Sequence, residues 1–201
     1  MSEKIFLCSI CNINSGTCKE DCKFCSQSVR YKADIQRYKQ KPLDAICQEA
    51  VQAQNNGALG FCLVTADKGL TDKTLEFVCN VAQEVQKVAP QLRLIACNGT
   101  ASVEQLLALK EAGIKAYNHN LETSEAFYPQ ICTTHTWSER YETCQMSMKQ
   151  VWCLSAVEFL DWVNRKKIES LCSNHSNRSI RLPYLLIFTI IMSHWNSSQI
   201  L

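Results

Sequence analysis

Three cysteines in a short polar stretch, Cys18-Lys-Glu-Asp-Cys22-Lys-Phe-Cys25, carry the strongest chemical signal in the chain. Three thiolates can hold three irons of a 4Fe-4S cube, and the missing fourth cysteine leaves one iron open to a small chelating ligand. A structural zinc site is the alternative, drawing on Cys8 and Cys11, which form a C-x2-C pair of their own. Two more cysteines, Cys62 and Cys97, fall near the ends of apolar runs, and Asn118, Asn120 and Glu122 cluster after a third run.

The intervening segments are of the kind that can position such groups. From Pro42 to Asn56 the apolar residues Ile46, Ala50, Val51 and Ala53 recur at helical spacing, and Gly57 stands where a left-handed cap would end the helix. Leu59 to Val64 is a continuous apolar run, as in a strand covered on both faces. Thr71 or Asp72 can cap a helix over Lys73 to Val88, which Pro90 ends. Leu92 to Ala96 then reads as a strand, Ser102 as the cap of a helix to Ala112 stopped by Gly113, and Ile114 to Leu121 as another strand. Strands alternating with helices imply a parallel α/β sheet or barrel, whose ligands gather at the C-terminal ends of the strands. Cys62 then lies at the first strand's end, Cys97 just after the second, and Asn118, Asn120 and Glu122 at the end of the third.

Composition narrows the functional classes. A net charge of +2, with no run of Lys and Arg interleaved with aromatics, argues against nucleic acid as a partner. Met1 to Phe6 carries charge at once and lacks a secretory apolar stretch, so a cytoplasmic location is expected. In a reducing compartment, 13 cysteines speak for metal ligation or catalysis rather than disulfides. The apolar stretch Leu182 to Met192 is shorter than the roughly 20 residues that span a bilayer, so no membrane association is expected.

The stretch Ser15-Gly16-x-Cys18-x-Glu20-Asp21-Cys22-x-Phe24-Cys25-x-Gln27-Ser28 resembles the cluster loop of the biotin synthase family within the radical S-adenosylmethionine (SAM) superfamily. Gly60-Phe61-Cys62, Ala96-Cys97, Tyr117-Asn118-His119-Asn120-Leu121-Glu122-Thr123-Ser124 and Thr133-Thr134-His135-Thr136 with Glu139-Arg140 continue the match in order, from about Phe6 to Cys144. The resemblance implies a partial (β/α) barrel of the radical SAM, TIM-barrel-like type. It implies that Cys18, Cys22 and Cys25 hold a 4Fe-4S cluster whose open iron binds SAM beside Phe24. Cys62 and Cys97 would be ligands of a sulfur-donating 2Fe-2S cluster that in the family also takes a third cysteine and an arginine. Asn120 and Glu122 would bind the SAM ribose, Arg140 its methionine carboxylate, and Asn118 and Asn120 the ureido ring of dethiobiotin. An electron donor such as flavodoxin is implied as well, and a homodimer is allowed. His119 and His135 are expected to make structural hydrogen bonds, and Cys8, Cys11, Cys47, Cys79, Cys132 and Cys144 to be packing or surface thiols. Another radical SAM enzyme, such as a related maturase, or a non-catalytic iron–sulfur or zinc-binding fragment is the competing reading.

The resemblance stops after Cys144. The family continues with a glycine-rich strand around a cysteine and a G-I-x-G-L-G-E segment, whereas this chain has no glycine beyond Gly113. Codons for Ala156 to Asn164, read one nucleotide earlier, permit G-G-I-F-G-L-G-E; those for Arg165 to Ser170 permit S-K-E-D-R-I, and those for Tyr184 to Ile190 permit P-L-N-F-Y-H. Three family segments from one shifted frame point to a nucleotide lost near Gln145 or Met146. Residues 1–144 then form the N-terminal part of the barrel domain, and 145–201 an out-of-frame tail. A chain of 201 residues also falls short of the roughly 250 that a complete eight-fold barrel uses, so C-terminal strands are expected to be missing and the chain itself inactive.

Overall fold

A computed structural model describes residues 6–149 and, for the backbone, 153–155. The apolar stretch 182–192 and the rest of the tail expected to be out of frame lie outside the described residues. Five parallel strands form one sheet in the order β1-β2-β3-β4-β5: β1 (Cys8–Asn12), β2 (Gly60–Val64), β3 (Arg93–Cys97), β4 (Ala116–Asn118) and β5 (Cys153–Ser155). Between them run α1 (Leu43–Asn55), α2 (Asp72–Val88), α3 (Val103–Glu111), the single turn α4 (Tyr128–Ile131) and α5 (Trp137–Lys149). Crossovers between parallel strands are right-handed, so sequential strand order with a helix between neighbours places the helices on one face and curls the sheet toward a barrel. A doubly wound sheet would instead reverse its order at a switch point.

The helices form where the sequence favours them. Thr71 caps α2 by accepting from the Thr74 amide, and Ser102 and Gln105 close a reciprocal capping box on α3. Gly57 and Gly113 both adopt positive φ, 81° and 101°, at the ends of α1 and α3. The main core lies between helices and sheet, where Ile46, Val78, Val85, Leu106 and Leu109 meet Phe61, Leu63, Leu94 and Tyr117.

Strand alternation sends the other residues to the inner face. Register aligns Ile10, Cys62, Ile95 and Ala116 in one row, and Asn12, Val64 and Cys97 in the next row toward the strands' C-terminal ends. Cys8, Cys62, Ile95 and Ala116 form a second buried cluster there, with Val64 and Cys97 against it.

Several expectations need correction. Cys8 and Cys11 belong to β1, a strand the sequence reading passes over; three residues apart on a strand, they point to opposite faces and join different clusters, so they cannot chelate one ion. The strand expected over Ile114 to Leu121 is confined to Ala116–Asn118. Cys62 stands in the middle of β2 rather than at its end, and Cys97 is the last residue of β3 rather than the first beyond it.

Candidate functional site

The three-cysteine loop follows β1, at the C-terminal edge of the sheet. Gly16 turns the chain into it at a φ of 66°, and an added Cβ would stand 2.6 Å from Arg37 Cγ. Arg37 Nη1 donates to the Gly16 carbonyl at 2.7 Å, while Gly16 N and Ser15 Oγ both donate to Gln27 Oε1. The loop closes on itself through Val29 N to the Cys18 carbonyl at 2.7 Å and Ser28 Oγ to the Glu20 carbonyl at 2.5 Å. Gln27 and Ser28 of the family motif thus shape the loop from within.

A distant segment holds it from outside. Asp21 accepts from the amide and hydroxyl of Thr133, at 2.8 and 2.5 Å, and from those of Thr134, at 3.1 and 3.0 Å. These bonds, led by the Thr133 hydroxyl, hold the Asp21 carboxyl well below the usual carboxylate range. Glu20 reaches His135 Nδ1 at 2.6 Å, and His135 Nε2 meets the Tyr128 hydroxyl at 2.8 Å. The sequence assigned no task to Thr133 and Thr134; the structure makes them the loop's anchor.

Cys18 and Cys22 are buried and Cys25 is half-buried. Burial pushes the thiols of Cys18 and Cys22 up; the charge on Cys25 adds to both, and Cys132 adds to Cys22. Three thiols in one loop, without disulfides, suit a polynuclear iron–sulfur group, whose ligands must give up their protons on binding. Phe24 is exposed beside them.

Arg140, on α5, faces this loop. Its Nε donates to the Asn120 carbonyl at 2.5 Å, and its Nη2 to Glu122 Oε1 at 3.4 Å; both side chains are largely buried. Burial raises the Glu122 carboxyl, against the opposing pull of Arg140 and of a hydrogen bond from the Asn120 side chain. Glu122 sits at a φ of 68°, a left-handed conformation costly for a side-chain-bearing residue and concentrated at ligand sites. The Arg140 charge pulls the thiols of Cys22 and Cys97 down against the upward push of burial, so one guanidinium influences both the loop and the inner face.

On that inner face burial pushes Cys97 up to about 11 and Cys62 well above its ordinary value. Asn118 Nδ2 donates to Cys97 Sγ at 3.6 Å, while its buried Oδ1 has no partner among the described residues. An unpaired, buried carbonyl costs free energy until a ligand N–H meets it. Cys62 and Cys97 bring two thiols to the same inner cluster. Cys8, expected to be a plain packing thiol, adjoins Cys62 in the same inner cluster.

Cys132, also expected to be an ordinary thiol, lies between the two halves of the clamp, 3.6 Å from Cys22 Sγ and 3.3 Å from His135 Nδ1. His135 makes the expected structural hydrogen bonds. His119 does not match that expectation at Nε2, which is buried without a partner.

Parallel strands in sequential order, with a three-thiol loop after β1 and an Arg–Glu pair after β4, define a partial α/β barrel with a candidate metal-binding thiol site at the C-terminal end of its sheet. A family profile described as the Radical SAM superfamily matches residues 13–157, and the chain belongs to that superfamily. Within it the similarity is to biotin synthases: 74% identity over 145 residues to that of Sulfurimonas denitrificans, covering 72% of this chain and 52% of the relative. The biotin synthase of Aliarcobacter butzleri is 52% identical over 182 residues, covering 90% of this chain and 64% of the relative. The chain spans about half the length of curated relatives such as the first of these. Among solved structures, the crystal structure of methylornithine synthase (PylB) superposes with a TM-score of 0.65 at 20% identity, over 76% of this chain and 44% of that one, a likeness of fold alone.

Proposed function

We propose that the intact reading frame encodes a biotin synthase, which converts dethiobiotin to biotin by radical insertion of sulfur. The observation that carries this reading is the gathering of the clamped Cys18/Cys22/Cys25 loop, the Arg140–Glu122–Asn120 group and Cys97 toward one end of one sheet, with Cys62 deeper on the same inner face. When bound, a 4Fe-4S cluster with SAM would supply the hydrogen-abstracting radical, and a 2Fe-2S cluster the sulfur. The chain's own residues bind and orient. Cys18, Cys22 and Cys25 hold the first cluster, with Phe24 beside it; Arg140 offers a cation to a carboxylate, and Asn120 and Glu122 offer hydrogen-bonding groups to ribose hydroxyls. The unpartnered Oδ1 of Asn118 is placed to accept from a ureido N–H. Cys62, fully buried, and Cys97, half-buried, hold the second cluster from the inner face of the sheet.

A flavodoxin-like donor supplies the electron, and the cytoplasm, where thiols stay reduced, is the compartment this chemistry requires. Among the described residues no helix is long and apolar enough to cross a membrane. Residues from near Gln145 onward are proposed to be out of frame, which makes the 201-residue chain a fragment of that enzyme. Complementation tests the reading: the frame-corrected gene should rescue a biotin auxotroph, and failure to do so while protein accumulates would overturn it. Iron, sulfide and zinc analysis of anaerobically reconstituted protein separates an iron–sulfur protein from a zinc-binding fragment.

A further inference from the structure

We propose that the cluster-free chain carries a mononuclear site for a thiophilic divalent cation, zinc foremost, formed by Cys22, Cys132 and His135. One thiol of this site belongs to the three-cysteine loop; the other two ligands come from the segment that clamps the loop. The ligand atoms of the three lie within 4.8 Å of one another, and all three residues are buried. Their spacing fits a coordination sphere. Two thiolates at about 2.3 Å from a tetrahedral zinc stand about 3.8 Å apart, and a thiolate and an imidazole nitrogen about 3.6 Å apart. Cys22 Sγ and Cys132 Sγ are 3.6 Å apart, and Cys132 Sγ and His135 Nδ1 are 3.3 Å apart.

The surroundings fit as well. His135 Nε2 meets the buried Tyr128 hydroxyl at 2.8 Å, the kind of outer hydrogen bond that orients a ligating imidazole, and binding exchanges the 2.6 Å contact of Nδ1 with Glu20 for the ion. Glu20, 2.6 Å from that same Nδ1, brings a carboxylate oxygen that can move to the fourth position. Asp21 is less available, because its oxygens are occupied by Thr133 and Thr134. Thiol-to-thiol and thiol-to-imidazole hydrogen bonds alone would explain the contacts but would not bind cobalt or zinc.

Cys22 cannot serve this ion and an iron of the loop cluster together, so the two metal states exclude one another. The mononuclear site requires only the side chains described; the competition rests in addition on the 4Fe-4S assignment proposed above.

Cobalt is the spectroscopic probe. Anaerobic titration of the full-length, cluster-free chain with Co2+ should give tetrahedral d–d and thiolate-to-cobalt absorption that saturates at an equimolar ratio and is displaced by zinc. Cys132→Ser and His135→Gln should remove it, while Cys18→Ala and Cys25→Ala, in the same loop, should retain it. Far-UV dichroism of each variant reports that the chain is folded, and Tyr128→Phe, which leaves the ligands intact, should weaken zinc binding by about 10–100-fold. Absorption that survives in folded Cys132→Ser but disappears in Cys18→Ala would put the ion in the three-cysteine loop and overturn the proposal, as would the absence of equimolar binding. Zinc loading should also slow reconstitution with iron and sulfide in the parent chain but not in Cys132→Ser. Equal rates in the parent with and without zinc would overturn the competition while leaving the cobalt result to stand on its own.

Discussion

Asp21 joins two distant stretches of chain through one carboxylate. Charged hydrogen bonds contribute about 1.5–3 kcal/mol each when sheltered, less where solvent reaches the carboxylate, as it does here. Asp21→Ala should therefore cost about 1–2 kcal/mol and loosen the cluster loop, measurable as a lower denaturation midpoint and faster proteolysis within residues 18–31. Because folding lowers this carboxyl below its ordinary 3.8, its contribution is present above that pH and fades as pH falls below it. The thiols admit a sharper test. Replacing Cys18, Cys22 or Cys25 with Ala should abolish 4Fe-4S absorption and reductive cleavage of SAM, whereas Cys47→Ala and Cys79→Ala should leave both intact; equal losses would contradict the assignment. The triplet was legible because its ligands are neighbours in sequence. Cys132 was not, because its partner Cys22 is 110 residues away and only the fold brings them together.

The elements show the same division. Helices α1, α2 and α3 were readable from periodicity and caps, since those signals are local. Strand β1 was obscured: Cys8 and Cys11 invited a metal reading, and alternation that sends residues to two different cores leaves no polar face to notice. At the start of α5, Thr136 and Glu139 form a reciprocal box, with Thr136 N to Glu139 Oε2 at 2.7 Å and Glu139 N to Thr136 Oγ1 at 3.2 Å. Lys68, hydrogen-bonded at 2.8 Å, draws the Glu139 carboxyl down to about 2. Thr136→Ala should cost about 0.5–2 kcal/mol, and through α5 it should also weaken the Arg140–Glu122 contact, raising the KM for SAM in the frame-corrected enzyme. Where β4 meets α5, burial holds the His119 imidazole down to about 3 from an ordinary 6.5. The unfolded chain then takes up a proton that the folded one refuses, so stability is full above about 6.5 and declines as pH falls toward 3. Denaturation titrations near neutrality and in mild acid should show that decline, and His119→Gln should flatten it.

For the whole molecule, the alternation of strands and helices foretold a parallel sheet, and the sequential strand order realises the barrel segment. The inner rows were not legible, because register depends on which strands pair. The tail is decided at the nucleic-acid level. Sequencing the coding region around Gln145 should reveal one nucleotide missing, and an uninterrupted frame through Leu201 would make the tail a genuine C-terminus. If the frame change has removed the remaining second-cluster ligands, the purified 201-residue chain should make no biotin when given iron, sulfide, reductant and both substrates. Slow, uncoupled 5′-deoxyadenosine formation is the most it should show; biotin above background would refute the frame change.

The clamp on the cysteine loop also sets a clock. Residues 18–25 leave the ribosome long before Thr133, Thr134 and His135, and at about 5–20 residues per second the gap is on the order of ten seconds. Through that interval the nascent loop is unclosed, with its thiols open to any passing metal or oxidant. The clamp can protect a bound cofactor only after its segment has emerged and docked, and a stall in translation between the two segments prolongs the vulnerable state without changing a single residue of the finished protein.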